Sequence, residues 1–250
     1  MRWRDTVGPV LGLLLVLLGG PLAARGAQEA VNDVGLDPGH SDADVGAVGG
    51  GLREVDLTLA LARQIRPLLE AHGLRVALTR EDNRPLTAMN HRDPTERIRL
   101  EQEARIAAVT PARIYVSIHF NGHPNPAVRG TETYYNPDNF GAESRQLAEA
   151  LQTAILAELH RLGYEAADRG VRADLTAGKP YGHFFSLRGP QPSVLVEALF
   201  LSNPQEAALL REPATLEALA RGYAVGILQY FAAGGSPLSH GRTATRGAPW

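Results

Sequence analysis

Cysteine is missing from all 250 residues. That absence excludes disulfides, thiolate nucleophiles, cysteine-ligated zinc and an anchor built on a lipidated cysteine. An excess of one charge is missing too: the formal net charge is −2, and no basic patch is interleaved with aromatics. Neither nucleic acid nor an acidic membrane surface is therefore indicated as a partner. A membrane-spanning run is also lacking, since Val7 to Leu18 falls short of the ~20 apolar residues such a helix needs. That run follows Arg2 and Arg4 and precedes Gly19-Gly20-Pro21-Leu22-Ala23-Ala24. A basic start, a short apolar stretch and small residues make a secretory signal peptide, so residues 1–27 read as one, cleaved between Ala24 and Ala27. The mature protein is expected to be exported, to the periplasm, cell envelope or extracellular space, with no transmembrane domain. With thiolates excluded, any metal must be held by His, Asp and Glu.

The remaining composition, 44% hydrophobic and 21% charged, suits one globular domain with a sizeable core. That domain is expected over residues 31–231. Residues 232–250, rich in Gly, Ser, Pro, Arg and Thr without apolar periodicity, read as a flexible tail. No internal repeat is visible.

Short β-like runs alternate with helical patterns along the domain. Strands are expected at Val34 to Leu36, Leu74 to Leu78, Arg113 to Ile118, Gly130 to Tyr135 and Ser193 to Val196. Helices are expected around Leu57 to Leu68, Leu147 to Leu162 and Leu216 to Tyr230. The stretch Glu81 to Glu96, with two prolines and many charges, reads as a long polar connection. Alternating strands and helices imply an α/β fold: a single domain with a mostly parallel twisted sheet and helices on both faces.

Chemistry-bearing residues fall at the ends of these strands. His40 follows the first in Asp37-Pro38-Gly39-His40, His119 closes the third and Glu197 closes the fifth. In open α/β sheets ligands bind beyond the carboxyl ends of the strands, so three titratable residues converge on one edge. Glu54 joins them at the start of the first helix, reached through the glycine-rich loop 46–51. Two imidazoles and a carboxylate suit Zn²⁺ with one position open for water. A second carboxylate, free of the metal, would move the water's proton, and Glu197 on its apolar strand suits that role. By spacing alone this pattern is only moderately specific, because no short motif such as H-E-x-x-H is present.

Several segments together resemble the zinc N-acetylmuramoyl-L-alanine amidases. They are LDPGH (36–40), the loop with Glu54 followed by DLTLALA (56–62), LTRED (78–82), VSIHFN (116–121), GTETYY (130–135) and VLVEALFLSN (194–203), in the family's order. The resemblance implies that His40, Glu54 and His119 bind zinc and that Glu197 is catalytic. It implies peptidoglycan as substrate and hydrolysis of the amide joining N-acetylmuramic acid to L-alanine, and it leaves room for an activating partner protein of unstated identity. Three departures stand out. Ser41 replaces the family's usual glycine, VLVEALF replaces VLVELGF, and the connection from Asp82 to Arg105 is longer and more charged, long enough to hold an occluding segment. Two other functions fit the same residues: a zinc peptidase acting within the stem peptide, or an exported peptidoglycan-binding protein without catalysis.

Other residues carry weaker expectations. Asn121, two residues past His119, is a candidate for orienting substrate, and Arg188 for gripping the stem peptide's carboxylates. Arg169, Arg172 and Lys179, in the same loops before the last strand, could grip those carboxylates too, but solvated loop charge is the favoured reading for them. Glu132 reads as a solvated face residue, and Asp37 as either a partner to the site or a turn cap. Among the remaining histidines, His123 and His183 are the nearest candidates to the pocket.

Overall fold

A computed structural model describes residues 31–234. The expected signal peptide, and residues 235–250 of the expected tail, lie outside those residues. Six strands form the main sheet: β1 (Asn32–Pro38), β4 (Val76–Leu78), β5 (Ala112–Asn121), β6 (Thr131–Tyr135), β7 (Asp168–Ala173) and β8 (Ser193–Phe200). A separate two-residue hairpin, β2 (Val48–Gly49) with β3 (Leu52–Arg53), is folded from the glycine-rich loop. The sheet order is β4-β1-β5-β8-β6-β7, and every pairing is parallel except β8 with β6. The helices are α1 (Glu54–Glu70), α2 (Pro94–Val109), α3 (Gly141–Arg161), the short α4 (Pro204–Leu209) and α5 (Pro213–Ala232).

Side chains alternate across a strand, and here the alternation separates core from chemistry. Val34 and Leu36 of β1, Ile114, Val116 and Ile118 of β5, and Val194 and Val196 of β8 face one way. They pack on Leu61 and Ile65 of α1, Leu151 and Ile155 of α3, and Tyr223 and Ile227 of α5. Each such side chain is worth about 1.5–3 kcal/mol when fully buried, so this layer carries most of the fold. Asp37, Ser117, His119 and Glu197 occupy the alternate positions and face the other way. Helix α2 covers part of that second face, setting Ile106 and Val109 against Tyr115. Phe184 and Leu187 cover another part, against Tyr134 and Leu195. The cover is incomplete, and the site lies in the gap.

The expected α/β class and mostly parallel sheet are what the structure has, with helices on both faces. Two elements differ from expectation. Residues 94–109, which begin inside the polar connection expected over Glu81 to Glu96 and carry no expected helix, form α2, entered through Asp93, whose side chain accepts from the Thr95 N–H, and Pro94. Periodicity misses this helix because its buried residues include Glu101 and Arg105 as well as Ile106 and Val109. Arg169 and Arg172, expected on a loop, lie on the edge strand β7. Among the described residues no helix is long and apolar enough to cross a membrane.

Candidate metal centre and active site

The turn after β1 is held from beneath by buried arginines. Asp37 accepts hydrogen bonds from Thr79 Oγ1 (2.7 Å) and Ser117 Oγ (2.7 Å), and pairs with Arg105 Nη1 at 2.9 Å. Burial pushes the Asp37 carboxyl up, but Arg105 and the two hydroxyls outweigh it and hold the group at about 2. Arg105 also donates to the carbonyls of Pro38 (2.8 Å) and His40 (2.6 Å), while Arg80 donates to those of Pro38 and Gly39. These bonds fix His40 in a left-handed conformation (φ 67°), one that costs a non-glycine residue energy and persists where the surroundings enforce it. Asp37 is thus a partner to the site, acting through Arg105.

The result is a close cluster. His40 Nε2 lies 3.1 Å from Glu54 Oε1, and His119 Nδ1 lies 2.9 Å from the same oxygen. One donor atom from each of His40, Glu54 and His119 falls within 4.8 Å of the others. Glu54 begins α1 but does not serve its own helix end. Its Oε1 accepts from the Phe120 N–H at 2.9 Å and its Oε2 from the Ala47 N–H at 2.7 Å. Burial opposes ionisation of Glu54, yet hydrogen bonds from both imidazoles drive its carboxyl far below the ordinary range. His40 is turned by Asp44, whose carboxylate stands 3.3 Å from Nδ1 and leaves Nε2 for the centre. Burial lowers the basicity of His40, but Asp44 and Glu54 outweigh it and push the ring up to about 10. Asp44 carries no expected role from the sequence; its i,i+4 spacing from His40 is the signal that could have found it.

Two glycines make room for this packing. A Cβ on Gly39 would stand 2.4 Å from the His119 ring. A Cβ on Gly46, whose φ is +71°, would stand 2.4 Å from Glu54 Oε2 and 2.6 Å from His40.

Glu197 sits on β8 directly beside His119 of β5 in the parallel register. Its Oε2 is buried with no hydrogen-bond partner. Burial, reinforced by the negative charge of Glu54, pushes its carboxyl well above the ordinary range. His40, His119 and Glu197 line one cavity of about 240 Å³, walled also by Met89, Lys179 and Tyr181.

The chain matches the family model described as N-acetylmuramoyl-L-alanine amidase over residues 34–229. It belongs to that family. The germination-specific N-acetylmuramoyl-L-alanine amidase of Bacillus subtilis is 32% identical over 206 residues, covering 81% of each chain. The N-acetylmuramoyl-L-alanine amidase AmiA of Escherichia coli is 30% identical over 230 residues, covering 78% of this chain and 75% of that protein. Among solved structures, the CwlD amidase of Clostridioides difficile in complex with the GerS lipoprotein aligns with a TM-score of 0.67 at 29% identity, covering 81% of this chain and 99% of that one.

Within this amidase domain the remaining candidates fall away from the three donors. Asn121 Nδ2 donates to Glu132 Oε1 at 2.7 Å. Glu132 itself is buried, against the expectation of a solvated face, because Arg169 (2.9 Å) and Arg172 (3.1 Å) both pair with its Oε2 while Tyr134 donates to Oε1. Those two arginines are therefore engaged with Glu132 and are not free loop charges. Arg188 donates to the carbonyls of Tyr181 and His183 and stacks over Phe185, bracing a loop beside the cavity without lining it. His183 is held between Asp174 (2.7 Å) and Asp138 (3.0 Å), and His123 lies outside the cavity wall.

Proposed function

We propose that this protein is an exported, zinc-dependent hydrolase of the amide between N-acetylmuramic acid and L-alanine in peptidoglycan. His40, Glu54 and His119 would hold the zinc, and Glu197 would be the general base. Family membership supports the bond and the substrate. The observation that carries the mechanism is the cluster of two imidazoles and one carboxylate, whose imidazoles line the same cavity as Glu197, a glutamate with a buried, unpartnered oxygen. Two nitrogens and one oxygen fit Zn²⁺, which favours such sets and keeps a further position open in catalytic sites. When bound, the ion would polarise the scissile carbonyl and make water acidic enough to attack near neutral pH.

The protein's own groups supply the rest. The Ala47 and Phe120 amides pin Glu54, and Asp44 pins His40, so both donors stand pre-set without reorganisation. Glu197 would take the proton of the attacking water and pass it to the amide nitrogen as the C–N bond breaks. An environment that favours the protonated carboxyl suits the second half of that transfer. The test is product analysis: purified peptidoglycan digested with the mature protein should release intact stem peptides with a free L-alanine amino group. A chelator should stop the release. Products cut within the stem would mark a peptidase instead.

A further inference from the structure

Lysine occurs once among the chain's 25 basic side chains, at position 179. That lysine lines the cavity shared by His40, His119 and Glu197. The arginines around it are committed elsewhere. Arg105, the other non-histidine base in the wall, is buried and paired with Asp37 and Glu101, and Arg169 and Arg172 are paired with Glu132. Among the described residues Lys179 has no ion pair and no side-chain hydrogen bond; its ammonium stands 6.0 Å from the centroid of the Phe184 ring. The rest of the wall is rich in carboxylates, with Asp44, Glu101 and Glu197. Among the described residues Lys179 is the one lysine or arginine in this wall without a carboxylate partner, so it is the group there free to pair with an anionic part of the substrate.

The loop bearing this lysine is fastened on both sides. Before it, Asp174 accepts from His183 Nδ1 at 2.7 Å and from the Phe184 N–H at 2.9 Å. After it, the Gly182 N–H closes back on the Lys179 carbonyl at 3.0 Å. Arg188 binds the carbonyls of Tyr181 and His183, and the Tyr181 ring stacks on Phe185 with centroids 4.5 Å apart. A cation on a fastened loop loses little freedom on binding, which is the condition for recognition by a single charge.

We propose that Lys179 is a specificity-determining residue, binding a carboxylate of the acidic peptide on the leaving side of the scissile amide. The assignment rests on the amidase reading above. It predicts that the enzyme distinguishes stems with a free carboxylate near the cleaved bond from stems in which that group is a carboxamide.

Binding and turnover test it separately. Calorimetry would use the full-length Glu197→Gln protein and two synthetic muramoyl peptides differing only in that carboxylate or carboxamide. The free-carboxylate peptide should bind about fivefold to tenfold more tightly, the range for a partly exposed, charge-assisted contact. Lys179→Met should erase the preference, Lys179→Arg keep most of it, and Lys179→Glu reverse it. In the otherwise unaltered enzyme, Lys179→Met should raise KM for the carboxylate peptide and leave kcat alone. Equal binding of the two peptides, or an equal loss for both in Lys179→Met, overturns the assignment. Carboxylate-selective binding together with a wild-type enzyme that cleaves neither peptide would remove the amidase reading and leave the recognition by Lys179 standing.

Discussion

Glu132 and Glu197 face each other across β6 and β8, directly opposite in the antiparallel register, yet they live in opposite chemistry. Each oxygen of Glu132 is fully engaged, one by Asn121 and Tyr134, the other by Arg169 and Arg172. Glu197 has a buried oxygen with no partner and a carboxyl pushed far above its usual range. The difference comes from the neighbours each strand brings. Glu132 borrows cations from the edge strand β7, whereas Glu197 stands beside β5, which carries His119, and near the anionic Glu54. A carboxylate saturated by donors is structural; one deprived of them is available to take and give a proton.

Substitution should separate the two. Glu197→Gln is expected to cost about 10²–10⁴-fold in turnover while leaving stability near wild type, since it removes a proton acceptor and breaks no bond. Stopped assays beside thermal melts would check this. Glu132→Gln should do the reverse, costing about 2–3 kcal/mol by leaving two half-exposed arginines against a neutral amide, with a far smaller loss of turnover. A Glu132→Gln enzyme as dead as Glu197→Gln, yet fully folded, would break the contrast.

Asp37 sharpens it, as a second saturated carboxylate that is fully buried with its arginine. Asp37→Asn should destabilise by about 3–5 kcal/mol in chemical denaturation at neutral pH, more than Glu132→Gln because Arg105 is left charged without water. The sign with pH follows from a folded value of about 2 against an ordinary 3.8. The stabilisation is complete above about pH 4 and drains away as pH falls toward 2. The gap between wild type and Asp37→Asn should therefore narrow over that interval, by about 2 kcal/mol.

The smallest effect concerns the loop beside the cavity. Burial works against protonation of His183, but Asp174 and Asp138 outweigh it and raise the ring above 6.5. Its clamp is complete below that value and is lost as pH climbs through the raised one. Limited proteolysis within residues 174–187 should appear on the alkaline side in wild type. In His183→Gln it should appear at every pH, with a stability change of about 0.5 kcal/mol.

How much of this could be read from the chain alone depends on what kind of signal each residue leaves. His40, His119 and Glu197 stand at the ends of apolar strand runs, and Glu54 opens a helix with a clean apolar stripe, so their positions were legible. Arg105 was not. It lies on α2, whose inward face is half polar, and its partner Asp37 is 68 residues away. The burial of Glu132 was hidden for the same reason, because its neutralising arginines lie 37 and 40 residues on, in a strand whose charges resemble a loop. Periodicity reports apolar faces; it is silent about polar groups buried by distant partners.

Under the proposed mechanism the three donors hold the metal and Glu197 moves the proton. The most direct test of that mechanism is one preparation of Glu197→Gln, with bound zinc and release of stem peptides measured together. Zinc should be bound one per chain as in wild type, with release reduced at least a hundredfold. A zinc-loaded Glu197→Gln protein that digests peptidoglycan within tenfold of wild type would contradict the mechanism.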